Sequence, residues 1–293
     1  MRSNLHGAFA EIFFALNDDG FPNIQKTKDH VRYLLDNDVK GLFVGGVAAE
    51  GFTFTVEERL NWLKATVDEA NGKAPVMFNI SSININEVVE TARKAVDIGS
   101  DMISITQPTP VLFGENEIMQ YYKEISDRVE APIMLYNESA IGNPLKIDLV
   151  KRIFSSFENF KYYKDSTHNL IDLHSLLSID KPPRVLAGSD GLIYDITVSG
   201  GCGIVSLIID VFPKIIIGIV DSLEKGNLKK ALQQQRFILQ VRSVLKAGGL
   251  TSGYRYASGL LGIELGNPRI PYSTLSKENE ITIKNGLKNL RLI

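Results

Sequence analysis

The chain has 293 residues, 32 basic against 34 acidic side chains and 44% hydrophobic residues, and its pI near 6.1 offers no basic face to nucleic acid or anionic lipid. Its one cysteine, Cys202, has no internal disulfide partner, so a reducing cytoplasm is the expected compartment. The opening Met1-Arg2-Ser3-Asn4-Leu5-His6-Gly7 is too polar for a secretory segment, and the most apolar stretch, 204–220, is broken by Asp210, Pro213 and Lys214 before it reaches the ~20 apolar residues of a membrane span.

Along the chain, short apolar runs alternate with helical patterns. Strands are expected at 8–14, 41–44, 76–79, 102–106, 133–136, 160–164, 184–187 and 203–207. They are continuous apolar runs more often than alternating ones, as in a sheet covered by helices. After the second strand, Thr55-Val56-Glu57-Glu58 reads as a capping box, the Thr55 hydroxyl at the N-cap and Glu58 reaching back. Val56, Leu60, Leu63 and Val67 follow at helical spacing and predict one buried stripe. Further helices are expected at 86–98, 115–129 and 147–154, and past the eighth strand at 228–246, 251–261 and 277–290.

Eight strands with intervening helices match an α/β fold of the (β/α)8, or TIM, barrel type. Residues 1–226 make the barrel in this reading, and 227–293 a C-terminal helical extension packed on it. A doubly wound open sheet is the competitor, but no Gly-x-Gly-x-x-Gly opens the first helix.

Barrel chemistry is done at the C-terminal ends of the strands. The second strand runs into Gly45-Gly46-Val47-Ala48-Ala49-Glu50-Gly51, and the fifth ends in Tyr136-Asn137. The sixth ends in Lys164-Asp165-Ser166-Thr167, the seventh leads into Gly188-Ser189-Asp190, and the eighth carries Ile204 and Ser206. Lys164 closes an apolar strand and has two readings. It is a rim lysine with its stem on the barrel wall, or an amine nucleophile for Schiff-base chemistry. An ordinary lysine is under about 0.1% neutral at pH 7, and lowering its pKa by about three units costs about 4 kcal/mol, which burial can supply. Tyr136, on the neighbouring strand end, is either an ordinary amphipathic strand residue or a proton shuttle. The Gly45–Gly46 turn either makes a nest of amides for a carboxylate or only lets the chain turn tightly into the capped helix.

Taken together, Gly45-Gly46-x-x-x-Glu50, Tyr136-Asn137, Lys164-Asp165-Ser166-Thr167, Gly188-Ser189-Asp190, Gly203-Ile204-Val205-Ser206 and Gly266-Asn267-Pro268-Arg269-Ile270-Pro271 resemble the dihydrodipicolinate synthase/N-acetylneuraminate lyase superfamily. The resemblance runs nearly the whole chain. It implies a barrel with a C-terminal helical extension, usually tetrameric, and a lysine that forms an imine with a 2-keto acid. By that resemblance Lys164 is the Schiff-base residue and Tyr136 the proton-transfer residue. The backbone at Val47 and Ala48 would hold the keto-acid carboxylate, and Ile204 would contact the bound acid. Gly188, Asp190 and Ser206 complete the candidate substrate contacts, Asp190 and Ser206 being equally readable as a turn cap and a strand-end serine.

The chain departs from the pattern in several places. Val47 and Ala48 replace hydroxyl residues, a loss of side-chain hydrogen bonds to a carboxylate worth about 1.5–3 kcal/mol each. Gln107-Pro108-Thr109-Pro110 replaces an aromatic pair, and Glu138-Ser139-Ala140-Ile141-Gly142 lacks the synthase's proline and arginine. These losses argue against dihydrodipicolinate synthase itself. They leave a lyase that releases pyruvate from a sugar-acid-like 2-keto acid, a dehydratase of a 2-keto-3-deoxy acid, or a non-catalytic sugar-acid binding or regulatory barrel. No metal is expected, since His6, His30, His168 and His174 are scattered and no paired-cysteine spacing occurs, and no cofactor motif is present. The expected partner is a small molecule, with neither nucleic acid nor membrane, in a homo-oligomer.

Overall fold

The computed structural model describes residues 5–293, so Met1–Asn4 of the polar opening lie outside the described residues. Eight parallel strands among these residues close into a barrel in chain order. They are β1 (Gly7–Glu11), β2 (Gly41–Val44), β3 (Val76–Asn79), β4 (Met102–Thr106), β5 (Ile133–Asn137), β6 (Phe160–Asp165), β7 (Arg184–Ala187) and β8 (Gly203–Ser206). Helices α1 (Ile24–Asp36), α2 (Val56–Ala70), α3 (Ile85–Ile98), α4 (Glu115–Arg128), α5 (Ile147–Ser156), α6 (Leu170–Leu177), α7 (Ile193–Val198) and α8 (Pro213–Glu224) follow the strands in turn. The chain then continues through α9 (Leu228–Leu245), α10 (Ser252–Leu260) and α11 (Lys277–Asn289). No helix among the described residues is long and apolar enough to cross a membrane.

The pleat sorts the strand residues into two cores. Phe9, Phe43, Met77, Met102, Met134, Tyr162, Leu186 and Val205 fill the barrel interior. Their strand neighbours, such as Ala8, Ala10, Leu42, Val44, Ile103, Leu135 and Ile204, face the helices in a second, larger cluster. Two residues beyond the interior layer, the same parity brings Glu11, Tyr136 and Lys164 inward at the C-terminal end. The register confirms the level, because Tyr136 pairs with Lys164 across β5 and β6. Methionine and aromatic side chains therefore form a water-excluding floor beneath a polar layer.

Two expectations need correcting. The first strand was expected over 8–14, but its ladder ends at Glu11. Ile12 still donates to the Phe43 carbonyl at 3.1 Å, while Phe14 leaves the sheet to stack on Trp62 with centroids 5.0 Å apart. In α2 the capping box forms as expected, but the buried face centres on Trp62, Leu63, Thr66 and Ala70. Val56, Leu60 and Val67 lie at its half-buried edge. The stripe rotates because Trp62 fills the corner under Phe14 and Phe54, 5.7 Å from the Phe54 ring.

Two arginines clasp the C-terminal segment to the barrel top. The buried Arg255 of α10 meets the Glu50 carboxylate with Nε at 2.7 Å and a second nitrogen at 3.1 Å. It also donates to the carbonyls of Leu265 at 2.6 Å and Phe14 at 3.1 Å. Arg269, in the Gly-Asn-Pro-Arg turn, forks onto Glu58 at 2.9 and 2.8 Å. Glu50 and Arg269, quoted above as part of the family pattern, are thus structural partners at the barrel rim.

Candidate active site

A cavity of about 220 Å³ opens at the C-terminal ends of the strands, lined by Glu11, Val47, Ala48, Tyr136, Glu138 and Asp190 among others. Larger clefts, of about 420 Å³ beside Lys40 and Pro75 and about 810 Å³ along α3, lie away from the strand ends where barrel enzymes do their chemistry.

Lys164 is wholly buried, which excludes the rim-lysine reading. Its Nζ lies 2.6 Å from Glu11 Oε2, 3.7 Å from the centroid of the Tyr136 ring and 4.9 Å from that of Phe43. The amine is therefore held between a carboxylate and two aromatic faces, behind Glu11 and Tyr136, which line the cavity while Lys164 itself does not.

Tyr136 points its hydroxyl past the amine and donates to Glu138 Oε2 at 2.8 Å. Burial, then Glu11 and Glu138 as neighbouring acids, push its phenol well above the usual range. Such a phenol keeps its proton at neutral pH. Glu138 is itself held in place. Its other oxygen accepts from the Ala140 amide at 3.0 Å, and Gln107 grips its carbonyl at 2.5 Å. Gln107 and Glu138, counted above as losses, interlock here to build a carboxylate onto the tyrosine.

The Gly45–Gly46 turn does form a nest, and the protein fills it. Glu11 Oε1 accepts from the amides of Ala48 at 3.0 Å and Ala49 at 3.3 Å. A Cβ on Gly46 would collide with that carboxylate, so glycine is required there for close approach. Sequence reasoning passed over Glu11. Its signal was a lone acid within the apolar run Ala8-Phe9-Ala10-Glu11-Ile12-Phe13-Phe14, two residues after the inward Phe9.

The remaining candidates divide. Val47, Ala48, Gly188 and Asp190 line the cavity. Asp190 accepts a hydrogen bond from the Ser206 hydroxyl, which in turn accepts from the Ile209 amide at 3.2 Å, so Ser206 supports Asp190 from behind. Burial pushes the Asp190 carboxyl up to about 6, against the Ser206 hydrogen bond and the charges of Arg242 and Lys246. Gly188 packs where a Cβ would strike the Ser166 hydroxyl. Ile204 faces the helices and packs in the outer core. Its neighbour Val205 takes the inward place in the cavity wall, as the two-residue period requires. Arg242 and Lys246, near the end of α9, also line the cavity. Sequence reasoning missed them, although their spacing of four puts both on one helix face.

A family model, the dihydrodipicolinate synthetase family, matches residues 4–290. An uncharacterized DapA-like lyase of Halobacterium salinarum is 26% identical over 290 residues, covering 99% of this chain and 95% of that protein. The 4-hydroxy-tetrahydrodipicolinate synthase of Methanococcus vannielii is 26% identical over 276 residues, 94% of this chain and 95% of its own. Among solved structures, YagE from E. coli K12, a prophage protein of the dihydrodipicolinic acid synthase family crystallised with pyruvate, superposes with a TM-score of 0.94 at 23% identity, covering 99% of this chain and 100% of that one. Strand order, site level and sequence match agree, and the chain belongs to the dihydrodipicolinate synthetase family.

Proposed function

We propose that this lyase works through an imine on Lys164, cleaving the bond between the α and β carbons of a β-hydroxy carbonyl substrate. The observation that carries the reading is the wholly buried amine, set 2.6 Å from Glu11 and 3.7 Å from the Tyr136 ring centre at a barrel strand end. Glu11 Oε2 accepts the proton the ammonium must shed. The amine then adds to the carbonyl carbon, the carbonyl oxygen leaves as water, and an iminium replaces C=O.

Cleavage sends the electron pair of the α–β bond to the iminium nitrogen, giving an enamine. The β-hydroxyl proton passes to the Tyr136 oxygen while Tyr136 hands its own to Glu138, 2.8 Å away. Protonation of the enamine at its α carbon and hydrolysis by water release the second product and return Lys164. A substrate that instead expels its β-hydroxyl as water would make the same imine serve a dehydratase. The Glu138–Tyr136 relay favours catalysis over a barrel that only binds. The narrower form, release of pyruvate from a sugar-acid-like 2-keto acid, requires the substrate's carboxylate to take the Ala48 and Ala49 amides that Glu11 occupies.

The test is reductive trapping. Folded protein is incubated with a panel of 2-keto acids and simple ketones in cyanoborohydride, then digested and mapped by mass spectrometry. An adduct at Lys164, absent from Lys164→Ala, is expected. Folded protein that gives no Lys164 adduct with any carbonyl compound would refute the reading.

A further inference from the structure

We infer that Glu11 supplies from the protein the carboxylate that a 2-keto acid would bring, so that the site takes a ketone or aldehyde carrying no carboxylate on its carbonyl carbon. This rests on the imine reading of Lys164. Three features make Glu11 a built occupant of the nest. Its Oε1 receives the Ala48 and Ala49 amides at 3.0 and 3.3 Å, its Oε2 meets Lys164 at 2.6 Å, and Gly46 packs against it so closely that no Cβ fits. The side chain is 3% exposed and springs from a strand laddered on both sides.

A 2-keto acid bound to Lys164 holds its carboxylate one bond from the imine carbon, and that carboxylate would have to share the nest with Glu11. Two carboxylates in one buried site repel strongly, and Val47 and Ala48 offer no hydroxyl as a second anchor. The other cations lining the cavity, Arg242 and Lys246, come from the C-terminal end of α9 and not from the Gly45–Ala49 turn, so they are no part of the nest. A carbonyl compound with hydrogen, methyl or hydroxymethyl in place of the carboxylate meets no such conflict. It leaves Glu11 at hand for the proton of Lys164.

The experiment uses a matched pair of three-carbon ketones, pyruvate and hydroxyacetone, with cyanoborohydride. In each, the lysine nitrogen bonds to the carbonyl carbon, water leaves, and hydride reduces C=N to a secondary amine. Labelling at Lys164 is read by peptide mass spectrometry and normalised to surface lysines of the same sample. Wild-type protein is expected to label at Lys164 about tenfold or more faster with hydroxyacetone than with pyruvate, the size of one charge-assisted hydrogen bond lost. Glu11→Ala, and more weakly Glu11→Gln, should shift that ratio toward pyruvate, the second variant keeping the volume of the first residue should the alanine variant fail to fold. Wild-type labelling by pyruvate at an equal or greater rate would overturn the inference while leaving the imine intact. So would a ratio unmoved by a folded Glu11 variant. Surface lysines labelled with Lys164 untouched by both ketones, in wild type and variants, would overturn the imine reading and this one with it.

Discussion

Arg255→Met is expected to destabilise the protein by about 5 kcal/mol while leaving the barrel strands untouched. The substitution removes two charge-assisted bonds to Glu50, at 2.7 and 3.1 Å, and strands a carboxylate with no exposed surface. Breaking a buried pair from one side costs about 3–5 kcal/mol. The Phe14 carbonyl also loses the guanidinium it faces at 3.1 Å, and an unsatisfied buried acceptor costs about 1–3 kcal/mol. The two terms sum to about 4–8 kcal/mol, and because methionine keeps most of the stem packed the expected loss lies in the lower half of that range, about 5 kcal/mol. Urea unfolding reads it through the one tryptophan, because Trp62 stacks on Phe14 itself. The midpoint should fall at unchanged slope. Adding Glu50→Gln should then recover about 1–3 kcal/mol relative to additivity, since the orphaned charge goes with it. A single-variant loss under about 2 kcal/mol, or strict additivity of the pair, would refute the buried-clasp account.

Tyr136→Phe keeps the ring against Lys164 but deletes the link to Glu138. Turnover should fall by about 10²–10⁴ with Lys164 trapping retained, and loss of trapping in folded variant would reassign Tyr136 to imine formation. His30, wholly buried, has its pKa lowered by burial to about 4 from 6.5. The unfolded chain therefore binds the proton more readily than the folded one between those values. Stability conferred by the neutral imidazole is full above pH 6.5 and lost as pH falls through 4, about 3 kcal/mol in all. Wild type should lose that much relative to His30→Gln between pH 7.5 and pH 4 in urea unfolding, and parallel pH profiles would contradict it.

The strands and their ends were legible because a parallel barrel writes each strand as an apolar run and places function where the run stops. The strand-end positions of Lys164 and Tyr136 were read that way, and the structure sets the two residues side by side. Glu11 was hidden by the same rule. It sits at a strand end with Ile12, Phe13 and Phe14 all buried beyond it, so the apolar run carries on past the ladder and makes the acid look internal. Asn137 illustrates a motif residue with a structural task, bracing the next loop through Leu145 at 2.9 and 3.1 Å. Asp165 does likewise, tying the Thr167 amide and hydroxyl at 2.9 and 2.7 Å. The Glu138–Gln107 interlock joins two loops 31 positions apart. No local spacing foretells such a contact, and the sequence comparison scored its residues as losses. Ile204 and Val205 differ only in pleat parity, which one misplaced strand end inverts.

The Glu50–Arg255 and Glu58–Arg269 clasps bear on the order in which the chain is made. Glu50 follows the amide nest directly, and among the described residues its carboxylate is met by Arg255 and the Arg269 amide, more than 200 positions further along the chain. During synthesis the eight strands leave the ribosome well before Arg255 and Arg269 do. Until those arginines arrive, Glu50 is an unpartnered acid beside the nest, and the turn that fixes Glu11 lacks its outer brace. A barrel whose strands form before α10 and the Gly-Asn-Pro-Arg turn are made therefore holds Glu11 in a turn that is not yet braced, and the clasps complete the barrel top last.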